Sequence, residues 1–237
     1  MVFLVDKSHL AKFIIHMVSH RKDLKFFLLF IILIGCHTAG KEAEIQSPLS
    51  RLSQGNKYFM QSQPKDQILN LKKGQLPYAV VVACSDSRVS PELIFHESLG
   101  SLFVVRTAGN IIGDYEMGSI EYAVENFHSS LIVILGHEDC GAVTAYLSAK
   151  DKKLSGSIQN IVDYIREEEE EKSLPDTLSF ETLLPLAIKA NVLHGLHEIV
   201  KSEIIHSQMI NQKLTIVGAI YHLTDGHVEF LEDMEPK

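Results

Sequence analysis

Four short runs of β-branched and apolar residues constrain this chain more than anything else in it. Residues 78–83 read Tyr-Ala-Val-Val-Val-Ala, 102–106 read Leu-Phe-Val-Val-Arg, 131–136 read Leu-Ile-Val-Ile-Leu-Gly, and 213–221 read Lys-Leu-Thr-Ile-Val-Gly-Ala-Ile-Tyr. They are short for helices and too uniformly apolar for strands with one wet face, so they predict strands buried on both sides. The segments between them carry helical spacing. Residues 117–128 show it through Ile120, Ala123, Val124 and Phe127, and 140–150, 158–172 and 180–207 follow suit, the last with Pro185 in or near its first turn. A short amphipathic helix is predicted at 49–60. Strands alternating with helices imply an α/β fold, a mainly parallel sheet flanked by helices. Asp225-Gly226 is a turn signal that sends 227–231 back along its neighbour as a closing C-terminal hairpin. With no internal repeat and no second linker, residues 49–237 read as one domain. The acidic run Glu167–Glu171 reads most simply as a solvated helix face or loop.

The N-terminal residues read as an address. Residues 26–35 form an unbroken apolar run, preceded by Arg21, Lys22 and Lys25. At about 1.5 Å per residue, such a helix spans roughly half of a ~30 Å hydrocarbon core, short for a membrane span and right for a signal peptide. Leu33-Ile34-Gly35-Cys36 resembles a bacterial lipobox, which predicts a signal segment over 1–35 and a lipid anchor at Cys36. Met17 is then the start codon. Residues 36–48 read as a tether. His37, rather than Asp, after the cysteine favours the outer membrane, and the catalytic body is expected in the periplasm. A short uncleaved anchor, a signal cut elsewhere and a cytoplasmic chain are the alternatives. The formal charge is −8 overall, and the first 35 residues hold five basic and two acidic residues, so the body is more acidic still. That argues against nucleic acid as a partner, since phosphate binding needs clustered Lys and Arg. Three cysteines are too few for a disulfide framework.

The chemistry gathers at two strand ends. The run 78–83 leads into Cys84-Ser85-Asp86-Ser87-Arg88, and 131–136 into His137-Glu138-Asp139-Cys140-Gly141. Ligands of open α/β sheets bind at the carboxyl ends of strands. If those ends are neighbours, Cys84, His137 and Cys140 meet, and two thiolates with one imidazole form a zinc ligand set that leaves a fourth position open. If the chain stays extended, Cys84, Asp86 and Arg88 share a face, and Arg88 keeps Asp86 ionised beside the metal. The same residues also admit a Cys84–Cys140 disulfide, or two buried thiols and a satisfied core histidine.

Cys84-Ser85-Asp86-Ser87-Arg88-Val89 followed by Gly136-His137-Glu138-Asp139-Cys140-Gly141 resembles the β-class carbonic anhydrases. The resemblance extends to Gly55-Asn56-Lys57-Tyr58-Phe59, to Phe103–Asn110, to Asn191-Val192 and to Val217–Gly226, roughly residues 49–233 in all. It implies a Zn²⁺ enzyme that hydrates carbon dioxide reversibly to bicarbonate and a proton, by attack of zinc-bound hydroxide. Cys84, His137 and Cys140 are the implied metal ligands, and Asp86 and Arg88 the catalytic pair. In some members the aspartate instead binds zinc at low pH and the arginine loses its partner. A homodimer, often doubled to a tetramer, is implied as well, with the pocket at the subunit interface. Hydrolysis of CS₂ or COS on the same fold and an inactive zinc-binding scaffold are the rival functions.

The chain departs from the family pattern at Glu97, where many relatives carry a Gln that helps hold substrate across the interface. A carboxylate there repels bicarbonate unless it is protonated or turned away. Trp is absent, so the regulatory bicarbonate pocket that one bacterial subgroup builds on Trp is missing. His96 and His128 are candidate proton carriers.

Overall fold

The computed structural model describes residues 47–149, 152–175 and 177–233. The expected signal segment 1–35, the anchor Cys36 and nearly all of the tether lie outside the described residues. The chain divides after Gln63 into two compact units. The described part of the first is one helix, α1 (Pro48–Ser62), begun by Pro48 and capped by Ser47, whose hydroxyl accepts the Ser50 N–H at 3.2 Å. Leu49, Leu52, Tyr58 and Met60 along it are exposed. Among the described residues, no helix is long and apolar enough to cross a membrane.

The second unit is built on five strands: β1 (Ala79–Cys84), β2 (Leu102–Thr107), β3 (Leu131–His137), β4 (Thr215–Tyr221) and β5 (Val228–Asp233). They form one sheet in the order β2-β1-β3-β4-β5. The first four are parallel, and β5 runs antiparallel to β4 with a register shift between Val217 and Ala219. Every residue of β1 is buried, as the uniform apolar run requires. Alternate residues feed two cores. Val80, Val82, Ile132, Ile134 and Ile216 pack with residues of α4 (Asp114–Phe127), α8 (Phe180–Ile199) and α9 (Glu203–Ile210). Val81, Ala83, Val133, Leu135, Val217 and Ala219 form the opposite core with Val89. A fully buried isoleucine such as Ile132 or Ile134 contributes roughly 1.5–3 kcal/mol through its removal from water.

Two expected helices are each broken in two. Residues 180–207 divide into α8 and α9, because Ser202 leaves the helical path and caps the second piece, accepting the Ile205 N–H at 3.4 Å. Pro185 lies inside α8, beyond its first turn. Residues 158–172 divide into α6 (Ile158–Glu167) and α7 (Glu169–Lys172) at Glu168, whose ψ of 129° is extended. The acidic run is not the solvated face expected of it. Glu168 and Glu171 are 1% and 2% exposed. Glu168 sits at the break itself and Glu171 in the short helix after it, so the chain turns these two side chains inward there. Three further short helices, α2 (Lys65–Leu71), α3 (Pro91–Ile94) and α5 (Gly141–Ala149), complete the unit; only the last was expected.

Glycines let α8 lie close against β3 and β4. A Cβ at Gly136 would stand 2.6 Å from Cγ2 of Val192, and one at Gly218 would stand 2.9 Å from its Cγ1. Val192 is β-branched and stiff, so it cannot swing aside cheaply. Gly136→Ala is therefore expected to lower unfolding stability by about 1–3 kcal/mol, the usual range for overpacking. Chemical denaturation of Gly136→Ala and of the Gly136→Ala/Val192→Ala pair checks the cause. The valine truncation should cost less in the Gly136→Ala background than in the native chain.

Candidate metal centre

The strand order places the centre. β1 pairs with β2 on one side and with β3 on the other, so the connections leave this point in opposite directions and open a crevice at the carboxyl ends. Cys84 closes β1 and His137 closes β3. Cys140 follows in the loop that starts α5, its carbonyl accepting the Thr144 N–H at 2.9 Å. Asp139 takes a left-handed φ of 53° to bring the chain round.

The three predicted ligands converge. One donor atom from each of Cys84, His137 and Cys140 lies within 4.8 Å of the others, and all three residues are buried. Both cysteines are free thiols, which removes the disulfide reading. The ring of His137 is fixed at Nδ1, 2.7 Å from the Glu138 carbonyl. That carbonyl can only accept, so Nδ1 carries the proton and Nε2 presents a lone pair. Nε2 is buried and, among the described residues, has no hydrogen-bond partner. A satisfied core histidine would not leave that atom bare. Two thiols and a bare imidazole nitrogen, gathered in a buried apolar cluster with Val143, Ile165, Ala187 and Ile188, fit a tetrahedral zinc site with three protein ligands.

The sulfurs differ. Cys84 Sγ accepts the backbone N–H of Asp86 at 3.4 Å and of Gly109 at 3.3 Å. The Cys140 thiol beside it, with His137 and these two amides, outweighs burial and lowers the Cys84 thiol to about 4. Cys140 moves the other way, because the neighbouring Cys84 and burial outweigh the N–H groups of Val143 and Ala142 at the helix start. One thiolate thus stands ready, and the second proton leaves when a metal binds.

Asp86 and Arg88 pair as expected but by a different path. The chain does not stay extended past Cys84. It turns, with the Val89 N–H donating to the Asp86 carbonyl at 3.0 Å and the Arg88 N–H to Asp86 Oδ1 at 2.9 Å. Within that turn the guanidinium grips the carboxylate with two bonds, Nε to Oδ1 at 3.0 Å and Nη2 to Oδ2 at 2.8 Å. Those bonds hold the Asp86 carboxyl well below the usual carboxylate range. Asp86 is thus committed to Arg88 here rather than turned onto the cysteines.

Four supporting roles escaped the sequence reading. Arg106 on β2 donates to the carbonyls of Cys84 at 3.1 Å and Asp86 at 2.8 Å, pinning the ligand turn to the next strand. Asn191 on α8, buried, donates to the Gly109 carbonyl at 2.8 Å and so aims the Gly109 N–H at Cys84. Gly109 has φ 73°, and a Cβ there would stand 2.9 Å from Cβ of Ala142, so no other residue fits without movement. Glu138 accepts from the N–H groups of Leu223 at 2.8 Å and Thr224 at 3.3 Å and lies 2.7 Å from His222 Nδ1, tying the His137–Cys140 loop to the hairpin turn. Arg106 and Asn191 fall inside the motif stretches, but their partners are backbone atoms distant in sequence, which residue spacing does not reveal.

Glu97 is turned away from its own chain's centre. It accepts the Tyr78 hydroxyl at 2.8 Å, and Tyr78 precedes the amino end of β1, opposite Cys84. His128 caps the C-terminus of α4, just before β3 begins. That is about 20 Å of strand from His137 at 3.3 Å per residue, which removes it as a proton carrier within this subunit.

Comparison with known proteins agrees with this geometry. Residues 79–228 match the carbonic anhydrase family. The chain is 39% identical over 191 residues to the carbonic anhydrase of Mycolicibacterium smegmatis, covering 75% of this chain and 89% of that one. It is 38% identical over 187 residues to carbonic anhydrase 2 of Mycobacterium tuberculosis, covering 74% and 87%. Among solved structures, the β-carbonic anhydrase CcaA superposes with a TM-score of 0.71 at 29% identity, over 80% of this chain and 92% of that one. The Coccomyxa β-carbonic anhydrase in complex with acetazolamide gives 0.72 at 25% identity, over 80% and 89%. The matched family spans both strand ends that carry the cysteines and the histidine, and the chain belongs to the β-class carbonic anhydrases.

Proposed function

We propose that this enzyme catalyses the reversible hydration of carbon dioxide to bicarbonate and a proton, with Cys84, His137 and Cys140 holding Zn²⁺. The observation that carries the reading is the bare, buried Nε2 of His137 beside two thiols, with the ionised Asp86–Arg88 pair next to them. Zinc held there supplies Lewis acidity, which in the three-histidine carbonic anhydrase centre brings the pKa of water to about 7 and here, with two thiolates, lowers it less. Cys84 spreads its negative charge over two backbone N–H groups. The His137 tautomer is fixed by the Glu138 carbonyl. Asp86, kept as a carboxylate, accepts a hydrogen bond from the attacking water and orients it toward carbon dioxide. Arg88 holds Asp86 in that orientation and is itself half exposed. The apolar cluster around the cysteines keeps bulk water from competing. The working unit is a homodimer or tetramer, as the family resemblance implies.

Asn191→Ala should leave the fold intact and weaken zinc affinity by about 10–100-fold, the usual cost of losing an outer support of a metal site. Competition with a chromophoric chelator measures it, and unchanged affinity would show that Gly109 holds its place without the asparagine. Stopped-flow hydration of carbon dioxide by the zinc-loaded enzyme, from about pH 6.5 to 9 to bracket the water's pKa, tests the reaction. Hydration should depend on zinc and fall by about 10–100-fold in Asp86→Asn. Zinc-loaded protein without hydration would overturn the reading and direct assays to CS₂ and COS.

A further inference from the structure

One carbonyl in the loop between His137 and Cys140 decides which atom the histidine can offer. The Glu138 carbonyl takes the Nδ1 proton of His137 and leaves Nε2 bare. Where that carbonyl points depends on the peptide joining Glu138 to Asp139. Before it, the Glu138 N–H donates to the Tyr221 carbonyl at 3.0 Å, one residue past the end of β3. After it, Asp139 takes φ 53°, which is uncommon outside glycine and kept only where the surroundings fix it. The Asp139 carbonyl receives a long bond from Arg88 Nη2, at 3.4 Å. The firmer hold is on the Glu138 side chain. Its Oε2 accepts the N–H groups of Leu223 at 2.8 Å and Thr224 at 3.3 Å, and the Thr224 hydroxyl at 3.5 Å. Its Oε1 lies 2.7 Å from Nδ1 of His222. The other nitrogen of that ring, Nε2, lies 3.3 Å from Oε2 of Glu229 on β5. Carboxylates accept, so both ring nitrogens donate and the ring is an imidazolium. The bond to Glu138, with Glu229 behind it, raises the pKa of His222. The ring of His227 lies nearly parallel, 6.0 Å away at 17°.

The Leu223 and Thr224 amides are backbone groups that any sequence in the turn would supply. His222 is the charged side chain among the donors, and it is the one that reaches Oε1. We propose, on the reading that Cys84, His137 and Cys140 hold the metal, that His222 is a positioning residue of the centre: clamped between Glu138 and Glu229, it holds the Glu138 peptide so that His137 presents Nε2 to the metal. The path is continuous. It runs from β5 through the His222 ring to the Glu138 carboxylate, through the covalent frame of Glu138 to its carbonyl, and from that carbonyl to His137. A ligating histidine takes its orientation and basicity from the partner of its other nitrogen. Slack in the Glu138 carbonyl is therefore slack in the ligand. Charge-assisted bonds to two carboxylates hold the imidazolium more firmly than neutral bonds would.

The test titrates the full chain with Co²⁺ in place of zinc, because its visible absorption bands report both affinity and ligand geometry. His222→Ala should weaken Co²⁺ binding by about 10-fold and shift the bands. That is the low end of the cost of losing an outer support, since His222 acts one residue further out. His222→Asn, whose amide N–H stands where Nδ1–H stood, should restore both affinity and bands to near the native values. His222→Gln, whose longer amide stands nearer Nε2 and Glu229, should not. Chemical denaturation of each metal-free variant runs alongside. Lowered metal-free stability in His222→Ala with affinity and bands unchanged would show a support of the hairpin alone and overturn the proposal. Rescue by His222→Gln as full as by His222→Asn would move the effect to Glu229 and overturn it too. Native protein that binds no Co²⁺ would overturn the ligand set and this inference with it, whereas variants that bind as the native chain does overturn this inference alone.

Discussion

The centre rests on the pairing register of two parallel strands. Ala79 stands opposite Leu131 and Ala83 opposite Leu135, so the chain leaving Cys84 and the chain ending in His137 reach the sheet edge together. Side chains alternate along a strand, and a slip of one residue would turn the partner's set to the other face. Burial on both faces prevents that slip. Val80 and Val82 must meet the helix side while Val81 and Ala83 fill the opposite core. The apolar runs that define the fold are therefore also what aligns the ligands, and a packing defect in β1 or β3 is a defect in the metal site.

Convergence alone would leave the ligands loose, because both loops depart from the sheet as soon as they have delivered their side chains. Polar side chains tie each loop to another element. Arg106 holds the carbonyls of Cys84 and Asp86 from β2, Asn191 holds Gly109 from α8, and Glu138 reaches out of its own loop to the hairpin turn. The Asn191 bond is buried, where it is stronger than in water and where its loss leaves an unsatisfied carbonyl behind. Gly109 shows how tightly the parts fit. Its left-handed backbone, the Asn191 bond and the contact with Ala142 together put one N–H on the Cys84 sulfur.

What the sequence disclosed follows from what each signal depends on. The strands and ligand triad were legible because apolar runs and Cys/His spacing are local properties of the chain. The meeting of Cys84 and His137 was conditional on the two strand ends being neighbours, and the pairing of β1 with β3 in the structure supplies that condition. The Asp86–Arg88 pair was legible too, though through a turn rather than an extended strand. The breaks at Glu168 and Ser202 were missed because helical spacing runs through them. The break at Glu168 turns the acidic run inward, where composition argues for solvent and position argues for burial. Position won at Glu168 and Glu171. The roles of Arg106 and Asn191 stayed hidden because their partners are backbone carbonyls on other elements.

The buried glutamates set a limit that the metal site does not share. Elsewhere the acidic body meets its partly buried carboxylates with donors: Glu138 with His222 and two backbone amides, Glu170 with His194 and His197. Among the described residues Glu168 and Glu171 have no such partner, and burial raises them to about 9 and about 8. A carboxyl whose folded pKa lies above its unfolded one binds its proton more tightly in the folded chain. The stability it contributes is fully present below the ordinary carboxylate range and declines as pH rises through the folded value. The loss thus falls between about pH 4 and pH 9, steepening the cost of alkaline conditions. The proposed carbon dioxide hydration would pull the opposite way, since deprotonation of the attacking water gains from alkalinity. The fold and the chemistry then meet in a window near neutrality.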